Sequence, residues 1–101
     1  MMKKSDYHIE VLMPCRGGQV EIARFDLGSC SSIVHELFDE LLGEPASSGK
    51  RLLRINLILN GAGADRRQVR SVYCTLDELA ENTKAIIKKA FRVLNMENSI
   101  S

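Results

Sequence analysis

The sequence has no tryptophan, and aromatic residues make up only 5% of it, so its core has to be built from aliphatic side chains. It holds two histidines and three cysteines, Cys15, Cys30 and Cys74, with no C-x-x-C spacing among them. That inventory supplies neither the ligand set of a zinc knuckle nor the even number of thiols a disulfide framework needs. No metal site and no cofactor is expected, and unpaired thiols fit a reducing cytoplasm. No apolar run approaches the ~20 residues that cross a bilayer. The two lysines near the N-terminus are followed by alternating residues instead of the apolar stretch of a signal peptide. An excess of one charge sign is missing as well. Fourteen basic residues against 13 acidic ones leave a net charge of +1, which excludes binding to nucleic acid through bulk charge alone.

What remains is an ordinary globular composition, 45% hydrophobic and 27% charged over 101 residues, enough for one modest core. The expected organisation is a single domain over residues 1–101, with residues 1–6 and 96–101 as flexible ends. The clearest element runs from Thr75 to Leu94. Thr75-Leu76-Asp77-Glu78 is a capping box, in which hydroxyl and carboxylate each satisfy a backbone N–H left over at the first helical turn. Leu76, Leu79, Ala80, Thr83, Ile86, Ile87, Ala90 and Leu94 then share a face, and Asp77, Glu81, Lys84, Lys88 and Arg92 run down the other as a solvated stripe. Phe91 and Val93 widen the apolar arc at the end, where the helix is expected to fold over its neighbour or reach a second subunit.

Tyr7, Ile9, Val11 and Met13 alternate with polar positions as a first strand closed by Pro14. Cys15-Arg16-Gly17-Gly18 supplies a turn, and Gln19 to Leu27 returns. The apolar parity of this second strand changes between Val20/Ile22 and Ala23/Phe25/Leu27, which predicts either a bulge near Ile22 and Ala23 or an edge strand with two partly apolar faces. A small-residue corner, Gly28 to Ser32, leads into a short helix bearing Ile33, Val34, Leu37, Phe38, Leu41 and Leu42, ended by Gly43. Residues 44–49 read as a flexible connector. Leu53, Ile55, Leu57 and Leu59 make the strongest strand pattern, and Gln68 to Cys74 forms a fourth strand after a long hairpin loop. The order β-β-α-β-β-α predicts an α+β, two-layer fold, with two helices on one face of a four-stranded, mainly antiparallel sheet. If the first helix runs back along the sheet, the order 2-1-3-4 is fully antiparallel and is preferred over 1-2-3-4, which needs a parallel pair.

Three groups of residues are candidates for function. The first is apolar. Leu12 and Ile58 interrupt the polar parity of the outer sheet face, and either Phe25 or Tyr73 joins them according to register; Phe91 and Leu94 stand at the end of the long helix. Scattered exposed apolar residues are the bland alternative. The second group is basic: between Lys50 and Arg70, six basic residues face the single acid Asp65, a net +5, and Arg66, Arg67 and Arg70 on the hairpin are placed to meet phosphates. The loop nevertheless lacks both a G-x-x-x-x-G-K-[ST] pattern and aromatic residues for base stacking. Acidic Glu36, Asp39, Glu40 and Glu44 of the first half offer this hairpin a protein partner instead, and Glu10 is a cross-strand candidate for Arg54. The third is Cys30, whose place at a helix N-terminus lowers a thiol pKa, with His35 and Asp39 nearby; a small buried cysteine among cap residues is the bland reading.

The expected function is a small cytoplasmic protein-interaction or regulatory module, self-associating and without catalytic activity, its partner a second copy or another protein. The alternatives are a nucleic-acid-binding accessory domain using the basic hairpin 60–70, and a thiol-dependent enzyme using Cys30.

Overall fold

Alternating side chains build the first hairpin, β1 (Asp6–Cys15) and β2 (Gly18–Gly28), around a turn at Arg16 and Gly17. The computed structural model describes residues 5–61 and 65–98 of the chain. β1 pairs antiparallel with β2 on one side and with β3 (Leu53–Asn60) on the other, and β3 pairs with β4 (Arg66–Cys74), so the sheet order is β2-β1-β3-β4. The two-layer α+β fold with a fully antiparallel 2-1-3-4 sheet is therefore observed. Asp6 faces Asn60 across the central pair, which puts the tips of the two hairpins at opposite ends of the sheet.

The parity change in β2 is resolved by a bulge, on a strand that also lies at the edge of the sheet. Val11 faces Ala23 and Leu12 faces Glu21, so Ile22 is the extra residue of a bulge, and Ala23, Phe25 and Leu27 recover the helix-side face. A further irregularity between Leu57 and Ile58 makes Val69 the extra residue of β4.

α1 (Ser31–Glu40) and α2 (Leu76–Asn98) cover the same face of the sheet. Ile9, Val11, Leu53, Ile55 and Leu57 meet Val34, Leu37 and Phe38 of α1 and Leu79 and Ile86 of α2 in one aliphatic core. Each such fully buried side chain contributes about 1.5–3 kcal/mol. The capping box forms: the Thr75 N–H donates to the Glu78 carboxylate at 2.9 Å and the Glu78 N–H donates to the Thr75 hydroxyl at 3.1 Å. α2 outlasts its expected end at Leu94 because nothing after it breaks a helix, and Asn95 donates back to the Phe91 carbonyl at 2.7 Å. Of the expected flexible ends, Asp6 opens β1 and residues 96–98 continue α2, while residues 1–4 and 99–101 lie outside the described residues.

α1 instead stops short. Leu41 turns extended, and Asn82, buried on the core stripe of α2, accepts from the Leu42 N–H at 2.7 Å and donates to the Leu42 carbonyl at 2.9 Å. Leu42 is drawn out of the helix by a side chain from the second half of the chain. Gly43 then passes so close to β4 that a Cβ would lie 2.4 Å from the Tyr73 carbonyl oxygen, at a φ of 143° that favours glycine. Glu44 exchanges backbone hydrogen bonds of 2.9 and 2.8 Å with Tyr73, and Arg51 pairs with Glu78 at 3.0 Å. The connector expected to be flexible is thus tied at Glu44 to the edge of β4, and Arg51, just past its other end, meets the start of α2.

Candidate functional site

Among the described residues, the surfaces without a covering element include the outer face of the sheet and the flank of α2 turned away from α1. On the sheet, register places Asp26, His8, Ile58 and Gln68 in one cross-strand row, Arg24, Glu10, Asn56 and Ser71 in the next, and Glu21, Leu12, Arg54 and Tyr73 in a third. Although no helix lies over them, His8 and Glu10 are only 2% and 6% exposed and Ile58 only 1%. The cover is made of side chains. Arg66 on β4 sits opposite Asn60, and its guanidinium pairs with Glu10 on β1, two strands away. Ile58 lies on β3 midway between Asn60, opposite Arg66, and Asn56, opposite Glu10, so the Arg66 side chain crosses the sheet over Ile58.

Glu10 is the hub of this strap. It also accepts from Arg24 at 3.4 Å and from His8 Nε2 at 3.1 Å, while the Asn60 amide donates to His8 Nδ1 at 2.8 Å and to Asp6 at 3.2 Å. Burial pushes the Glu10 carboxyl up, but Arg66 and His8 outweigh it and hold it below the ordinary carboxylate range. The expected cross-strand pair of Glu10 with Arg54 does not form, because Arg54 sits opposite Leu12; it donates instead to Ser71 at 3.0 Å and Gln68 at 3.2 Å and lies over the Tyr73 ring. A general-base histidine needs a ring nitrogen open to substrate, and both nitrogens of His8 are engaged within the chain. Asn56 Oδ1 is a buried acceptor of this face without a partner among the described residues.

This register settles the conditional candidates. Tyr73 shares the outer face with Leu12 and Ile58, whereas Phe25, opposite Ile9, packs against the core on the helix side. With Ile58 beneath its strap, little of the expected apolar patch is open on the sheet.

The basic hairpin is divided by the same parity. Arg66 belongs to the outer face and Arg67 and Arg70, opposite Leu59 and Leu57, to the helix side. Each has an acid: Glu10 for Arg66, Asp65 for Arg67 at 3.5 Å, and Asp39 for Arg70 at 2.7 Å. Arg70 further donates to the His35 carbonyl and lies over Phe38, so it fastens α1 to β4. The acids of α1 are thus partly used within the chain, Glu36 also meeting Lys89 at 3.6 Å. Residues 62–64 of the glycine-containing loop lie outside the described residues.

Cys30 is exposed at the N-cap of α1, and hydrogen bonds from the Ser32 hydroxyl and the Ile33 N–H lower its pKa. Among the described residues no base is paired with it: His35 stacks edge-on against Tyr7 at 6.0 Å, and Asp39 is committed to Arg70. Cys74 is buried, and burial pushes its thiol up. Among the described residues no group of three His, Cys, Asp or Glu is placed to hold a metal ion, and no helix is long and apolar enough to cross a membrane.

No protein family, curated protein or solved structure matches the chain.

The flank of α2 differs from the sheet face in kind. The apolar face of α2 is split: Leu79 and Ile86 face the core together with Asn82 and Val93, while Leu76 and Ile87 stand 69% and 51% exposed, and Phe91, at the end expected to meet a neighbour or a second subunit, is 68% exposed. α1 occupies the side of α2 bearing Lys89, which leaves the opposite side uncovered. Ile87 and Phe91, one turn apart, line with Lys88 and Arg92 a shallow apolar hollow of about 320 Å³. Leu94 lies farther along the same helix, with its side chain outside the described residues. The signal was present in the sequence as an apolar arc wider than one core contact can bury.

Proposed function

We propose that this chain is a self-associating protein-interaction module whose contact surface is the apolar flank of α2. The observation that carries the reading is the pair Ile87 and Phe91, two large apolar side chains more than half exposed on a helix whose other side is anchored in the core. Water contact of that kind, concentrated along one stripe, is relieved by a partner surface. The polar groups the sequence singled out support a binding role over a catalytic one, since His8, Glu10 and Asp39 are used in holding elements together. Exposed thiols at Cys15 and Cys30 favour a reducing compartment, the cytoplasm, for such a module.

Sedimentation velocity across a concentration series tests this. The wild-type chain is expected to pass from monomer to a larger species as concentration rises. The double variant Ile87→Ser/Phe91→Ser is expected to remain monomeric with an unchanged circular dichroism spectrum. A wild-type chain that stays monomeric throughout, or a double variant that associates as well as the wild type, contradicts the reading.

A further inference from the structure

We infer that the occupant of the α2 flank is a second copy of this chain, its α2 packed antiparallel to the first about a two-fold axis that passes beside Thr83 and Lys84. The inference rests on the self-association reading and adds the geometry of the contact. Its first ground is spacing. An axis between Thr83 and Lys84 sets Leu76 opposite Phe91 of the other copy and Ala80 opposite Ile87, so that a small residue meets a large one on each side of the centre. Leu76, Ala80, Ile87 and Phe91 are all exposed, and the row they form is about 22 Å long at 1.5 Å per residue.

The second ground is charge. Beside the stripe, on its solvent side, Asp77 and Glu81 occupy the first half of α2, and Lys84 and Lys88 the second. The same axis brings Asp77 next to Lys88 of the other copy and Glu81 next to Lys84, each contact occurring twice. Parallel packing would instead set this charged edge of each copy against the opposite edge of the other, and neither of these pairs would form. Opposed helix dipoles favour the antiparallel choice as well. Because the contact is isologous it closes at two copies and leaves no second face for a chain of copies. A stripe of this length makes a small interface, so the dimer is expected to dissociate on dilution.

The test is cross-linking in a Cys15→Ser/Cys30→Ser background, where Cys74 remains as a buried thiol, using a bis-maleimide that spans about one helix diameter, ~10 Å. Three exposed positions are compared: Asp77→Cys, Lys84→Cys and Lys88→Cys. The antiparallel dimer joins Lys84→Cys to itself and joins Asp77→Cys to Lys88→Cys in a mixture. It leaves Asp77→Cys alone unlinked, because the two copies of that position are about 20 Å apart along the axis. A dimer in which Asp77→Cys links to itself, and the mixture gains nothing, overturns the antiparallel arrangement while self-association stands. A background protein that sediments as a monomer at every concentration overturns both.

Discussion

The open face of the sheet and the open flank of α2 both lack a neighbouring element, yet the chain completes one and leaves the other bare. On the sheet, side chains from β2 and β4 reach inward to a single carboxylate, and an isoleucine beneath them becomes as buried as the core. On α2, Ile87 and Phe91 project with only Lys88 and Arg92 at the margin. A polar surface can satisfy itself, because arginines are long and a carboxylate accepts several hydrogen bonds at once. An apolar stripe on a convex helix has no such means, since covering it needs a matching surface. The difference teaches which of the two stays exposed, the apolar one.

Mutations can break this contrast. The largest effect is expected at Ile58→Ala: a residue on the uncovered side of the sheet should cost about 3 kcal/mol, the cost of a core isoleucine. Urea denaturation measures it, and a loss below about 1 kcal/mol would mean that the Arg66 strap does not shield Ile58 from water.

Glu10→Gln comes next, at about 1.5 kcal/mol near neutral pH, because His8, Arg24 and Arg66 lose their shared charge. Its pH dependence carries a sign. The carboxyl titrates below its ordinary 4.5 in the folded chain, so its stabilisation is complete above that value and is lost as pH falls through the lower folded value. Thermal melts of the wild type should therefore fall more steeply in this acid window than those of Glu10→Gln. Glu78, held low by the Thr75 N–H and Arg51, titrates in the same direction in both proteins and cancels from the comparison.

The smallest stability effect is expected at Phe91→Ser. Urea denaturation at a concentration where the chain is monomeric should change by no more than about 0.5 kcal/mol, since the side chain is exposed. Its loss should show in association alone. A destabilised monomer would mean that Phe91 supports the fold, and the two regions would then not differ as described.

Much of the architecture was legible because it is written locally. Strand parity, the Thr75–Glu78 box and the bulge at Ile22 each follow from residues a few positions apart. The 2-1-3-4 order followed from connection geometry and the preference for antiparallel neighbours. The end of α1 was not legible, because Leu42 is extracted by Asn82, forty residues on, and an asparagine within an apolar stripe does not announce which backbone it will hold. The candidate arginines could be found by composition, but not their separation to two faces, which the bulge at Val69 and the pairing register decide.

By itself, then, the sequence determined the elements, their order and the apolar character of α2, since these depend on spacing along the chain and on hydrogen bonds within a turn. Only the tertiary structure decided that Ile58 is covered, that Glu10 gathers three basic partners, and that α2 divides its apolar arc between a core and a bare flank. Those outcomes depend on which residues of distant strands stand opposite one another and on which side of α2 the first helix settles, and no local spacing encodes either.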